Sequence, residues 1–292
     1  MNVVQFANVT SWEQSYAPEE QERFVELVES GHVLLFPNLA FPAQAAEQAL
    51  FSPAASDGKS KNIAYDPPSG QVFGTSLQGP QRQVLQGFMS RFAEGARALI
   101  EHLFPRYVPH LLPRLASFRP IAVEGRNTSS KKDDTRLHVD AFASRPNQGR
   151  RILRVFSNAN PHDEPRTWLV GEPFEPYAQR FLPRVRAQWP LEGSVLKALH
   201  VTKSRRTPYD HVMLGLHDLG KLDDDYQRTT PNERVDFPAG STWVCFTDQV
   251  LHAALGGQFL LEQTFFLPVS GMGHPERSPL RILERLTGRS LV

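Results

Sequence analysis

His138-Val139-Asp140 sets an imidazole and a carboxylate two residues apart. In extended backbone, side chains at i and i+2 point to the same face. If Asp134 to Phe142 forms a strand, as its pattern predicts, both groups converge on one point. A metal site needs a third ligand, and His252 is the candidate, because it follows the strand-like run Trp243 to Leu251. Two His and one carboxylate cover one face of an octahedron and leave three positions open, an arrangement that suits mononuclear non-haem Fe(II). The open positions can take a bidentate 2-oxo acid and then dioxygen. Metal and cosubstrate then carry the oxidation, and the chain positions them. The His-x-Asp tripeptide is weak by itself, since 10 His and 31 acidic residues produce such pairs in surface loops by chance. The distal His strengthens it.

The triad resembles that of the Fe(II)/2-oxoglutarate dioxygenases as a class. In many of these a basic residue after the distal His binds the far carboxylate of the cosubstrate. Gly256 to Phe265 holds no Arg or Lys, which departs from that pattern. A dicarboxylate still calls for a cation, best a bidentate guanidinium. The run Arg150 to Asn158 offers one: in a strand Arg154, Phe156 and Asn158 share a face. Arg154, between Leu153 and Val155, is expected to be more buried than Arg150 or Arg151, and burial of an arginine is costly unless an anion meets it. Arg154 is therefore the first cosubstrate candidate and Arg119, in Ser117-Phe118-Arg119-Pro120, the second. Gln263 or Thr264 is a neutral helper on the last strand. Asn158 is a further candidate, although Ser157 to Pro161 reads most simply as a turn. A structural salt bridge would use either arginine equally well.

Other features compete. Leu216-His217-Asp218-Leu219-Gly220-Lys221 resembles the His-Asp doublet of HD-type metal-dependent phosphohydrolases, for which His200 and Asp248 would be the remaining ligands. Such a site sits on a helical bundle, whereas Asp248 follows a strand-like run. From Arg126 to Arg154 there are eight basic residues (Arg126, Lys131, Lys132, Arg136, Arg145, Arg150, Arg151 and Arg154) against Asp133, Asp134 and Asp140. That excess suits an anionic substrate or a solvated rim. Arg277, Arg281, Arg285 and Arg289 recur every four residues with Leu280, Leu283 and Leu286 between them. The reading favoured is a helix packed on the domain rather than one lying on an anionic membrane.

The elements that must position these groups follow from pattern. The 292 residues are 40% hydrophobic and 22% charged, enough for a sizeable core, and 32 Lys plus Arg against 31 Asp plus Glu exclude a global cationic field for nucleic acid. The single cysteine, Cys245, excludes an internal disulfide and a multi-cysteine zinc site, and is expected in the core. No apolar run approaches a bilayer span, and no secretory signal is expected from the N-terminal residues. Helices are expected over Pro18 to Ser30, Phe41 to Phe51, Gln81 to Leu103, Glu175 to Gln188, Tyr209 to Tyr226 and Pro279 to Leu286. Strands are expected over His32 to Pro37, Arg114 to Val123, Arg151 to Asn158, Ser241 to Phe246 and Gly257 to Val269, with a loop from Ser52 to Pro80. Helices first, then strands with inserted helices, make an α+β protein with a β-sandwich or barrel core.

The chain resembles the Kdo hydroxylase family, Fe(II)- and 2-oxoglutarate-dependent dioxygenases acting on the acidic sugar Kdo. The resemblance rests on His138-Val139-Asp140, on Arg151-Ile152-Leu153-Arg154-Val155-Phe156-Ser157-Asn158-Ala159-Asn160-Pro161, and on Tyr209 to Leu214. It rests also on Leu216-His217-Asp218 and on His252 with Glu262-Gln263-Thr264-Phe265. It implies a double-stranded β-helix (jelly-roll or cupin-like) core with N-terminal and inserted helices, and His138, Asp140 and His252 as the iron ligands. One dioxygenase domain is then expected over 1–292. Its parts are a mainly helical section at 1–112, a β-helix core at 113–270 with a helical insert at about 171–230, and a C-terminal helix at 271–292. The implied reaction is hydroxylation at carbon 3 of Kdo in the inner core of lipopolysaccharide, giving Ko, with 2-oxoglutarate and O2 as cosubstrates. The implied partner is Kdo-lipid A, met by a cytoplasmic enzyme with possible peripheral contact at the cytoplasmic face of the inner membrane. The sequence leaves the oligomeric state open. The competing expectations are the HD-type phosphohydrolase and a non-catalytic sugar-binding jelly-roll module.

Overall fold

The computed structural model describes residues 2–123 and 129–292. The first elements are β1 (Val3–Gln5), α1 (Pro18–Glu29), β2 (Val33–Phe36), β3 (Ile63–Asp66), β4 (Gln71–Phe73) and the long α2 (Gly79–Leu103). Then come β5 (Leu112–Arg119), β6 (Arg151–Asn158) and β7 (Arg166–Val170), followed by four inserted helices. These are α3 (Phe174–Phe181), α4 (Glu192–Ala198), α5 (Pro208–Leu222) and α6 (Asp224–Thr229). The chain closes with β8 (Glu233–Phe237), β9 (Thr242–Phe246), β10 (His252–Gly256), β11 (Leu260–Leu267) and α7 (Pro279–Thr287).

Two sheets result. One has eight strands in the order β1-β2-β9-β6-β11-β5-β3-β4, and the other has three in the order β10-β7-β8. One face of the large sheet carries Leu34, Leu153, Val155, Val244, Phe246, Leu261 and Phe265, packed with Phe88, Phe92 and Leu99 of α2. Its other face meets the small sheet through a second apolar cluster that includes Phe156, Trp243 and Cys245 from one sheet and Trp168, Val170 and Phe237 from the other. Strands β6 and β11 are buried along their whole length. A strand covered on both faces cannot alternate apolar with solvated residues, so the charged groups on β6 and β11 must have internal partners. This is a mixed α+β architecture with two sheets, as expected.

Several local expectations are corrected. Asp134 to Phe142 is not a regular strand; it is irregular backbone joined to the sheet by one isolated bridge, His138 to His252. The Ser52 to Pro80 region is not all loop. It contributes β3 and β4 to the sheet edge, where short strands between Gly and Pro residues give little periodic signal. The helix expected over Glu175 to Gln188 stops at Phe181, before Pro183, and Phe41 to Phe51 holds only a 3-10 turn over Ala45–Leu50. Tyr209 to Tyr226 is two helices, because the Asp223 carboxylate accepts from the Tyr226 amide at 3.0 Å and starts α6. Helix α5 begins in a capping box: Thr207 and Asp210 exchange hydrogen bonds at 2.8 and 3.2 Å, with Pro208 at its first position. The C-terminal helix packs as favoured, burying Leu280, Ile282 and Leu283 while Arg281 and Arg285 pair with Glu284 and Glu175. Among the described residues no helix is long and apolar enough to cross a membrane.

Candidate metal centre

The turn between β9 and β10 receives the His138 segment through its backbone. The His138 amide donates to the His252 carbonyl at 3.1 Å and the reverse bond is 2.9 Å. The Asp140 amide donates to the Thr247 carbonyl at 2.8 Å. This fixes two groups adjacent in sequence against a third from a distant strand, without the regular strand that the i, i+2 spacing suggested. Ligand atoms of His138, Asp140 and His252 all lie within 4.8 Å of one another.

The donor chemistry fits a divalent cation. His138 Nδ1 lies 2.7 Å from the Arg136 carbonyl and His252 Nδ1 lies 2.9 Å from the Val250 carbonyl. A carbonyl only accepts, so each Nδ1 carries the proton and each Nε2 keeps its lone pair for a metal. Burial, reinforced for His138 by the nearby His252 and Lys221, holds both imidazoles below their ordinary pKa and therefore neutral. Burial also disfavours the Asp140 carboxylate, but the Arg154 guanidinium beside it outweighs burial and keeps that group ionised. Asp140 Oδ2 is buried without a hydrogen-bond donor, although the Arg154 guanidinium lies 3.1 Å away. A buried lone pair left unsatisfied calls for a partner, and two neutral imidazoles with one carboxylate are what an Fe(II) facial site requires. The Trp168 ring stacks on His252, with centroids 5.0 Å apart, and fixes the imidazole plane.

The three residues line a cavity of about 920 Å³. Beside them runs a ladder of alternating charge. Arg154 sits 3.1 Å from both Asp140 and Glu262; Glu262 binds Arg119; Arg119 lies 3.9 Å from Asp134, which also pairs with Lys61 and lies 3.8 Å from Lys221. Both cosubstrate candidates, Arg154 and Arg119, thus line the cavity, each with a buried Nε that has no hydrogen-bond acceptor. Their forks are only partly used by the carboxylates.

The neutral candidates fare differently. Asn158 stands at the end of β6, and its amide donates to the carbonyls of Glu164 (2.9 Å) and Phe237 (3.1 Å). It is a turn-holding residue outside the cavity lining, as the simpler reading had it. Gln263 is displaced by strand alternation: Glu262 and Thr264 line the cavity, while the Gln263 amide donates to the Arg114 carbonyl at 2.8 Å. The expectation that Arg154 is the more buried arginine is also corrected. Arg151 is fully buried, its Nε on Asp248 at 2.8 Å, one Nη on Gln249 at 2.6 Å, and its guanidinium 3.9 Å from the Phe246 ring centroid.

Sequence reasoning missed Glu262, Asp134, Lys61, Lys221 and Trp168. Of these, Glu262 was within reach, since alternation along β11 puts it with Thr264. His217 of the His-Asp doublet does reach the cavity, its ring 5.4 Å from that of His138. The doublet's nominated partners do not join it: His200 is exposed and Asp248 is committed to Arg151. Among the described residues the single group able to hold a metal is His138, Asp140 and His252. Of the basic stretch, Lys131, Arg145 and Arg154 line the cavity, whereas Arg126 and the Lys132 side chain lie outside what is described.

Comparison with known proteins agrees with this chemistry. The profile of the 3-deoxy-D-manno-oct-2-ulosonic acid (Kdo) hydroxylase family matches residues 11–290. A solved Kdo hydroxylase, KdoO, described as a non-haem Fe(II) 2-oxoglutarate-dependent dioxygenase in complex with 2-oxoglutarate and Fe(III), is 47% identical. That match covers 100% of this chain and 98% of the other, with a TM-score of 0.96. A cobalt(II) complex of KdoO is 48% identical over the same shares, with a TM-score of 0.97. A succinate and Fe(III) complex is 47% identical, also over the same shares, with a TM-score of 0.96. No curated protein matches.

Proposed function

This chain belongs to the Kdo hydroxylase family, non-haem Fe(II)- and 2-oxoglutarate-dependent dioxygenases acting on Kdo, and from that premise we propose that it hydroxylates carbon 3 of Kdo in the lipopolysaccharide inner core, giving Ko. We assign His138, Asp140 and His252 as the iron ligands, Arg154 as the first group for the far carboxylate of 2-oxoglutarate, and Arg119 as the second. The two facing sheets are read as a double-stranded β-helix, and 1–292 as one dioxygenase domain. The observation that carries the reading is the convergence of ligand atoms of His138, Asp140 and His252, two neutral imidazoles and a carboxylate, all within 4.8 Å of one another.

When bound, the iron with 2-oxoglutarate and dioxygen supplies the oxidation that turns a C–H bond into C–OH while the cosubstrate leaves as succinate and carbon dioxide. The chain's own work is positional. The Arg136 and Val250 carbonyls hold the imidazole tautomers. Arg154 keeps Asp140 ionised and presents its remaining N–H groups to the cavity. Trp168, Phe156 and Leu260 wall the ligand side with apolar surface and exclude water from a reactive centre. Lys61, Arg114, Lys131 and Arg145 around the same cavity suit the carboxylate of an acidic sugar.

The test is incubation of the chain with a Kdo-bearing lipopolysaccharide fragment, Fe(II), 2-oxoglutarate and air, followed by mass spectrometry and NMR. The expected product gains one oxygen, at carbon 3, with one succinate formed per turnover. No added oxygen, or oxygen at another carbon, overturns the assignment.

A further inference from the structure

Helix α4 is amphipathic the wrong way round. Gly193 is buried where the helix touches the segment after it: a Cβ there would lie 2.1 Å from the Arg206 carbonyl oxygen. The outward face carries Leu191, Val195 and Leu199, at i, i+4 and i+8, which form one stripe. They are 74%, 51% and 68% exposed, and Trp189 (71%) and Val201 (54%) extend the stripe at either end. Half of the ten large apolar side chains exposed among the described residues fall in these 13 positions. Single exposed apolar residues are ordinary on a folded protein, but a contiguous group marks a contact surface.

The patch is built and held. The Glu192 carboxylate receives Arg186 at 2.8 and 3.0 Å and the Trp189 amide at 3.1 Å, which folds the incoming loop onto the helix start. The outgoing segment is tied to the loop that follows Asp140. The Lys203 amide donates to the Ser144 carbonyl at 2.9 Å, and Arg206 donates to the Ala143 carbonyl at 2.7 Å. Gln148 donates to the Arg205 carbonyl at 3.2 Å. Ala141, Phe142 and Arg145 of that loop line the metal-site cavity. The segment leaving the exposed stripe is therefore hydrogen-bonded to the loop that forms part of the cavity wall.

Charge selects the occupant. Between Arg184 and Arg206 there are six basic residues and one acidic, Glu192, in a chain whose totals are nearly balanced. Lys197, Lys203 and Arg205 are exposed and make no ion pair among the described residues. A second copy of the patch would bring like charges together around an apolar centre, which opposes self-association. An anionic bilayer satisfies both features, since Leu and Val enter the acyl boundary, Trp takes the interface, and Lys and Arg meet the phosphates. We propose that the Trp189 to Val201 segment docks this protein on an anionic membrane surface, with the metal-site cavity held beside the headgroups. The docking itself does not depend on the reading of the reaction.

The experiment is cosedimentation of the full chain with vesicles of phosphatidylethanolamine and phosphatidylglycerol, with Trp189 fluorescence followed in parallel. The wild type should pellet with these vesicles, bind pure phosphatidylcholine poorly and release as salt rises. Its emission should shift to the blue, a shift lost in Trp189→Phe. The triple variant Leu191→Ser, Val195→Ser, Leu199→Ser should bind about tenfold or more weakly. Phe73→Ser, an exposed apolar residue elsewhere, should bind as wild type does. A triple variant that binds as well as wild type, or a wild type that stays in the supernatant, overturns the proposal. So does a dimer in sedimentation velocity that the triple variant dissociates. An inactive preparation on Kdo acceptors would count against the proposed reaction and leave the vesicle result standing.

Discussion

Arg154 faces two carboxylates, Asp140 and Glu262, and still has an Nε with no acceptor, so its guanidinium is both an electrostatic support for a metal ligand and a vacant donor. The two roles separate by substitution. Arg154→Lys keeps a positive charge near Asp140 but loses the planar fork. It should raise the 2-oxoglutarate KM on the order of tenfold to a hundredfold, as expected for hydrogen bonds to a charged group. The Fe(II) concentration giving half-maximal activity should move much less. Equal shifts in both would transfer the cosubstrate role to Arg119. At this scale the coming together of His138, Asp140 and His252 was legible from residue type and order. Arg154 does line the cavity, but the apolar neighbours that singled it out also ranked it as more buried than Arg151, and Arg151 is the more buried of the two. Gln263 misled because its neighbours Glu262 and Thr264 take the cavity face. The ladder through Asp134 and Lys221 was illegible, because its members come from six separate stretches of chain and have no local pattern.

Among the elements, β6 was read to the residue because both its faces are covered and, up to the polar Ser157 and Asn158 at its end, only arginines interrupt its apolar run. Those arginines do different work. Arg151 and Asp248 form a fully buried pair that ties β6 to the turn after β9, the same turn that receives the Asp140 backbone. Asp248→Ala would strand the Arg151 charge and should cost about 3–5 kcal/mol in urea-induced unfolding; a loss under 1 kcal/mol would contradict that role. Helix α5 offers a packing test. Gly220 faces the Tyr177 hydroxyl, which donates to the Leu216 carbonyl at 2.5 Å, and a Cβ at 220 would lie 2.3 Å from that oxygen. Gly220→Ala should therefore cost roughly 1–3 kcal/mol by thermal unfolding despite the better helix propensity of Ala. The strand expected at His138 failed for an instructive reason. The segment is held by backbone hydrogen bonds at spaced points, His138 with His252, the Asp140 amide on the Thr247 carbonyl and the Ala254 amide on the Asp134 carbonyl, and these do not add up to a regular ladder.

In the whole molecule, a large sheet backed by α2 and faced by a small sheet places the metal site between the two sheets, against a wall shared with the inserted helices. The order of helices and strands announced the α+β class. It could not announce which face of the insert stays wet, because an i, i+4, i+8 apolar stripe looks the same whether it packs inward or is presented outward. The account as a whole depends on the three ligand residues, and anaerobic Fe(II) binding to the full chain tests them most directly. Wild type should bind one Fe(II) per chain and, on addition of 2-oxoglutarate, develop a visible absorption band. His138→Ala and His252→Ala should each fold and lose both signals. If either variant still binds one Fe(II) with wild-type affinity and spectrum, His138, Asp140 and His252 are not the metal centre.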